Sequence, residues 1–335
     1  MNDTVDPRQR AIERERDHHF QTYGRQPLVL DRGSNERVWD VNGREYVDAL
    51  GGIAVNVLGH CHPAVTRAIQ EQASRLIHVS NLYYTEVQSA LVARLSELAG
   101  FERVFLANSG AEAVEGALKL VRRYASRHEH GAGVVALEGG FHGRTLATLA
   151  MGAEKYQKGF GPMPDGFVRI PRDDVDALDR AIDDSVAAVV IEPIQGEGGI
   201  HVIAREFLLR ARDLCCERNV LLVFDEIQCG NGRTGSMYAW QEFDVRPDVL
   251  ITAKGLGGGV PIGAFMADAH VAEVLGAGDH GTTFGGNPLA SAAALATLEV
   301  LAADELPARA ARLGRRVFER LEAFAKETGT IREIR

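Results

Sequence analysis

Lys254 is the single charge in "ITAKGLGGGVPIGA", residues 251–264, where every neighbour is glycine, threonine, proline or apolar. Lysine is seldom fully buried unless paired, so the stretch raises three readings: a phosphate cradle, a solvated loop charge, or an amine kept from water. A phosphate loop needs its lysine after the glycines, as G-x-x-x-x-G-K-[ST]. Here Lys254 precedes Gly255, Gly257, Gly258 and Gly259, so the order is wrong. A desolvated lysine has a lowered pKa and, as a free amine, forms imines. The run "DVLIT" before it reads as a strand, which puts Lys254 just past a strand's C-terminal end, where open α/β sheets bind ligands. A solvated loop lysine fits this stretch alone better. The partners decide.

Asp225 closes the apolar run "VLLVFD" and stands at another strand end. An acid there can keep a ring nitrogen protonated and make the ring an electron sink; otherwise it is a cap or an ion pair, the simpler reading for Glu226 beside it. In "LANSGAEAVEGALKL" a strand ends, Asn108–Gly110 turn, and a helix begins near Ala111. Its free N–H groups and dipole suit an anion, unless Ser109 is only a cap. In "GGFHGRTL", Phe141 can stack on a flat ring and Arg144 can grip a carboxylate with two parallel bonds. His142 between them reads as structural. The literal G-x-G-x-x-G at Gly230, Gly232 and Gly235 is set aside, because polar residues separate it from its strand and no acidic strand end follows about 20 residues on. "HCH" at His60–His62 lacks further ligands at metal spacing and reads as a turn before a helix. One ligand uses the remaining parts together: pyridoxal phosphate, a flat ring with a nitrogen, a phosphate and an aldehyde.

The elements that must position these groups follow from periodicity. Residues 8–21 read as a charged helix, and "PLVLDRGSNERVWDVNGREYVDAL" as three short strands broken by "GSN" and "NG" turns. "HPAVTRAIQEQASRLIH" and "TEVQSALVARLSELAG" have helical spacing. Seven apolar strands then alternate with helices: "RVFLA", "GVVAL", "GFVRI", "VAAVVIE", "VLLVFDE", "DVLIT" and "IGAFMA". That pattern is an α/β sheet covered on both faces. One long helix is expected from Pro288 to about Glu327. After it "TGTIREIR" reads as a strand that either joins the N-terminal meander or lacks its partner.

The 335 residues suffice for two domains or one large one, and 45% hydrophobic with 25% charged residues is a globular composition. A net charge of −9 argues against nucleic acid or an anionic membrane as partner. Cys61, Cys215, Cys216 and Cys229 form no C-x-x-C pair, and a reducing cytosol fits them. The charged N-terminus is no secretory signal, and no run of about 18 apolar residues is present.

"GGIAVNVLGHCHP", "NSGAEA", "FHGRTL", "EPIQGEGG", "FDEIQCGNGRTG", "ITAKGLGGG" and "GTTFGGNPLA", in this order over roughly residues 20–335, resemble the class-III aminotransferases, of fold type I among pyridoxal-phosphate enzymes, and most of all their acetylornithine branch. The resemblance implies a large, mostly parallel sheet domain between helices (59–287) and a smaller α+β domain drawn from both chain ends (1–58 and 288–335). It implies that Lys254 binds the cofactor covalently and then shuttles a proton. Asp225 would pair with the ring nitrogen, Phe141 would stack, and Gln228 would approach the ring's 3-oxygen, with Glu226 and Ile227 alongside. Ser109, Gly110 and Ala111 would hold the phosphate, with Thr283 reaching that of a second copy in a homodimer. Thr282 and Arg144 would meet the substrate, and Glu197 would act as a gate. The expected reaction, in cytoplasmic arginine biosynthesis, moves the terminal amine of N-acetylornithine or a similar acylated ω-amino acid to 2-oxoglutarate. Two positions depart from the family. Ile53 replaces the tyrosine of ornithine aminotransferases and argues against a free α-amine. Val114 replaces an asparagine and leans toward 4-aminobutyrate. Relatives continue beyond the equivalent of Arg335. A 4-aminobutyrate or succinylornithine aminotransferase, a nicotinamide dehydrogenase built on "GNGRTG", and a non-catalytic cofactor-binding subunit are the competing readings.

Overall fold

Apolar runs that end in a polar residue build the centre of the molecule. A computed structural model describes residues 6–335, so the first five residues of the charged N-terminal stretch lie outside it. The expected first helix spans Pro7–His18. The meander follows as β1 (Leu30–Ser34), β2 (Arg37–Asp40) and β3 (Glu45–Val47), all antiparallel. The two helices with 3.6-residue spacing are Pro63–Arg75 and Glu86–Ala99. His62 caps the first of them, its Nδ1 accepting the Ala64 N–H at 3.3 Å, so "HCH" is indeed a turn before a helix.

All seven expected strands form one sheet: β4 (Arg103–Ala107), β5 (Gly133–Leu137), β6 (Phe167–Ile170) and β7 (Val186–Ile191). After a small hairpin, β8 (Ile194–Gln195) and β9 (His201–Val202), come β10 (Leu221–Asp225), β11 (Val249–Thr252) and β12 (Gly263–Ala267). The order is β4-β12-β11-β10-β7-β5-β6. Only β12 runs against its neighbours, β4 and β11. Strands β7, β10, β11 and β12 are buried along their whole length, which is why they read as continuous apolar runs. Alternate side chains serve opposite faces: Leu222 and Phe224 join the core that holds Phe207 and Leu208 of the helix Arg205–Glu217. Val223 joins the core that holds Ala113, Val114 and Ala117 of the helix Gly110–Arg127.

Register brings the chemistry to one edge. Phe224 pairs with Ile191 and Asp225 with Ile251, so Asp225, Glu192 and the exit toward Lys254 emerge together. Ala107, at the end of β4, pairs with Gly263 at the start of β12, which adds the Asn108–Ser109 turn to the same edge.

Two expectations fail near the C-terminus. The single long helix is two, Pro288–Ala303 and Leu306–Thr328. Glu305 turns left-handed at φ 48°, and Pro307, without an N–H, can only start a new helix. The expected strand "TGTIREIR" is irregular. Gly329 ends the helix at φ 64°, and the chain is then held by side chains, Arg335 donating to the Gly199 carbonyl at 2.7 Å. Among the described residues, no helix is long and apolar enough to cross a membrane.

The β4–β12 junction is tight. A Cβ on Gly263 would lie 2.4 Å from the Ser109 carbonyl oxygen. Gly263→Ala is therefore expected to destabilise the chain by about 1–3 kcal/mol, as overpacking does. Equilibrium urea unfolding reads this, and an unchanged midpoint contradicts it.

Candidate active site

A cavity of about 460 Å³ opens at this edge, lined by Ser109–Ala111, Phe141, Arg144, Ile227, Gln228 and Lys254 among others. Its size is that of a small-molecule site. Segments that follow five strands, β4, β5, β7, β10 and β11, contribute to it, so residues more than a hundred positions apart meet there.

Ser109 caps the helix Gly110–Arg127, its Oγ accepting the Glu112 N–H at 3.2 Å. Glu112 returns the contact by accepting from the Asn108 N–H and side-chain amide at 2.8 and 2.7 Å. Such caps stabilise by about 1 kcal/mol. They leave the first N–H groups of the helix, at Gly110 and Ala111, without intrahelical acceptors and free for an anion. Capping and anion binding therefore coexist at Ser109. A Cβ on Gly110 would lie 2.7 Å from Ile227 Cδ1, so only glycine lets the helix end sit this close to the cavity wall.

Asp225 is 2% exposed and lies just behind the lining. Its Oδ1 accepts the Ile227 N–H at 3.1 Å, and its Oδ2 accepts from His142 Nδ1 at 2.7 Å. Burial pulls the His142 pKa down, but the hydrogen bond to Asp225, the Asp225 charge and that of Glu192 outweigh it, and the net shift is upward. Glu192, at the end of β7, accepts the Phe141 N–H at 2.7 Å. Its pKa is pushed up to about 8, chiefly by burial and further by Asp225, against the opposing pull of His142.

Lys254 leaves β11 with φ 43°, a left-handed value that is uncommon for a residue with a Cβ. Burial lowers the pKa of its amine, while Glu197, Asp225 and Glu192 pull it back only in part. Its Nζ lies 3.8 Å from Glu197 Oε1, and Gln228 Nε2 donates to the same oxygen at 2.9 Å. Glu197 thus faces Lys254 and Gln228 rather than Arg144. The Arg144 guanidinium instead lies over the Tyr156 ring at 4.1 Å and near Phe141 at 5.6 Å.

Other expected residues lie elsewhere. Glu226 does not follow the cofactor edge and is no surface ion pair, but the reading of it as a helix cap holds. It is fully buried, turned away from the cavity, and accepts the N–H groups of Ala239 and Trp240 at the start of a short helix. Thr282 stands outside the lining, its Oγ1 accepting from Asn108 Nδ2 at 3.0 Å. Thr283 is exposed and also outside it. Ile53 is exposed on a left-handed turn, Gly51–Ala54, while Val55 lines the cavity in its stead. His142 and Glu192 are the residues that sequence reasoning missed. Glu192 carried the same signal as Asp225, a carboxyl at the end of a buried strand. His142 had none beyond its place between Phe141 and Arg144.

The residues present fit pyridoxal phosphate. The helix end offers N–H donors to a phosphate, an aromatic ring borders the cavity, a buried Asp–His pair stands behind one wall, and a lysine amine with lowered pKa faces in. The "GNGRTG" stretch, by contrast, forms a loop after β10 with no helix until Ala239, which is not a dinucleotide-binding turn.

A family profile, aminotransferase class-III, matches residues 20–335. An acetylornithine aminotransferase from Methanocaldococcus jannaschii is 49% identical over 327 residues, 97% of this chain and 82% of the relative. A succinylornithine transaminase/acetylornithine aminotransferase from Pseudomonas aeruginosa is 48% identical over 93% of this chain and 78% of its own length. The ornithine aminotransferase of Toxoplasma gondii superposes with a TM-score of 0.94 at 40% identity, covering 99% of this chain and 80% of that one. Another structure of that enzyme has pyridoxal phosphate at partial occupancy in its active site.

Glu226 makes a pH prediction. Its ordinary pKa is 4.5 and burial raises it to about 8 against the opposing N–H bonds. Between those values the folded chain holds a proton that the unfolded chain has lost, so this group's contribution to stability falls as pH rises. Glu226→Gln is uncharged throughout. The decline in unfolding free energy between about pH 5 and about pH 8 is expected to be shallower in the variant. Urea unfolding at both pH values measures it, and parallel slopes contradict the assignment.

Proposed function

This chain belongs to the class-III aminotransferase family, and from that premise we propose that it moves the terminal amino group of N-acetylornithine to 2-oxoglutarate, giving an aldehyde and glutamate. The observation that carries the reading is the single cavity in which a lysine amine of lowered pKa, a helix N-terminus and the buried Asp225–His142 pair converge. Pyridoxal phosphate is the cofactor; when bound it supplies an aldehyde that condenses with amines and a protonated ring that accepts electrons.

The chain's own residues divide the remaining work. Gly110 and Ala111 N–H groups, with Ser109, hold the phosphate at the positive end of the helix dipole. Phe141 covers a ring face. Asp225, which accepts a hydrogen bond from His142, would face the ring nitrogen and favour its protonation, the largest electrostatic aid available here. Lys254 Nζ would supply the amine that holds the cofactor and, when free of it, would serve as the proton carrier of the site. Arg144 binds a substrate carboxylate. Glu197 switches partners between the two substrates, its charge masked in one half-reaction and released in the other. Thr282 approaches the substrate, and Thr283, exposed on this chain, reaches the phosphate site of a second copy in a homodimer. The setting is cytoplasmic arginine biosynthesis.

A succinylated donor is the second reading, favoured by the Pseudomonas aeruginosa relative, whose name covers both acyl groups. Lys254→Ala is expected to lower transamination by at least about a thousandfold while the chain stays folded. Near-native turnover overturns the role of Lys254. Comparison of acetylornithine, succinylornithine, 4-aminobutyrate and ornithine as donors is expected to favour the acylated pair by kcat/KM. A preference for ornithine contradicts the argument from Ile53.

A further inference from the structure

The loop Gly230–Gly235 buries one polar side chain. Asn231 is 2% exposed, and its Nδ2 donates to Thr252 Oγ1 and to the Ala253 carbonyl oxygen, both at 3.0 Å. A carbonyl can only accept, so the NH₂ end of the amide must face Ala253. Asn231 Oδ1 is buried without a partner. An unsatisfied buried oxygen is destabilising, so the two donor bonds are what favour asparagine over an apolar side chain here. The backbone agrees: Asn231 has φ 54°, in the left-handed region that asparagine tolerates better than most residues.

The two acceptors are the last residue of β11 and the residue before Lys254. Ala253 departs from strand geometry at φ −165°, ψ −138°, and Lys254 then turns left-handed at φ 43°. The Ala253 carbonyl belongs to the peptide plane on which Lys254 is mounted. Asn231 holds that oxygen from one side, and the Leu256 N–H holds it from the other at 3.0 Å. A residue in a sparsely populated conformation persists only when its surroundings over-determine it.

We propose that Asn231 is a positioning residue that grips the Ala253 carbonyl, holds Lys254 in its left-handed turn and so presents the Lys254 amine at one place in the cavity. The role rests on the reading of Lys254 as the reactive amine. Asn231 does not line the cavity and acts through Lys254 alone.

The test is Asn231→Leu, which keeps the volume and removes both donors, with Thr252→Val as the control that removes only the hydroxyl acceptor. In the loaded enzyme Asn231→Leu is expected to lose about 10- to 100-fold in kcat, as misplacement of a reacting group does, with KM for the amino donor within about twofold of the native value. In the cofactor-free full chain, labelling of Lys254 by an amine-selective reagent, followed by mass spectrometry across pH, is expected to change in rate and midpoint while that of Lys119 does not. Thr252→Val is expected to stay within about threefold of native kcat. If Asn231→Leu does not fold, Asn231→Ser, smaller and with one hydroxyl donor, carries the same expectation with a smaller loss. Native-like kcat, or a loss of kcat without change in Lys254 labelling, overturns the role of Asn231. An unmodified chain without transaminase activity overturns the functional reading beneath it instead.

Discussion

The site depends on one constraint: charged groups at the C-terminal edge of a buried sheet need partners, because there is little water to solvate them. Strands β7 and β10 are buried throughout and deliver Glu192 and Asp225 to that edge. Removing one partner from a buried ion pair costs about 3–5 kcal/mol, so buried Asp225 relies on its 2.7 Å contact with His142. Glu192 meets the same constraint differently: burial pushes its pKa up to about 8, and it accepts the Phe141 N–H.

Lys254 shows the constraint from the opposite sign. Burial weakens its hold on a proton, and Glu197 restores only part of it. A left-handed turn costs a residue with a Cβ about 1–2 kcal/mol, and here that strain falls on the residue proposed to react. Neighbouring bonds offset it, those of Asn231 and Leu256 on Ala253 among them. Stability spent in this way fits a site that must hold an amine in one orientation.

The sheet was legible because a strand buried on both faces must be a continuous apolar run, and "VAAVVIE", "VLLVFDE" and "DVLIT" are such runs. Lys254 and Asp225 were legible for the same reason, as charges that end them. His142 was not, since a histidine in a loop acquires meaning only from Asp225, 83 positions away. The direction of Glu226 was also hidden, because it depends on where the helix at Ala239 lies. The break at Glu305 escaped a periodicity argument, which carries apolar spacing straight across a left-handed residue. Ile53 and Thr282 are placed by the motif in one dimension, yet neither lines the cavity of this chain, where Val55 and Asn108 stand instead.

Those observations make one group central: the Lys254 amine, proposed to bond an aldehyde. Borohydride reduction of the purified protein, followed by peptide mass spectrometry, tests it most directly. Loss of the cofactor's visible absorbance and a reduced pyridoxyl phosphate adduct on the peptide carrying Lys254 are expected. An unmodified Lys254, or an adduct confined to other lysines, would contradict it.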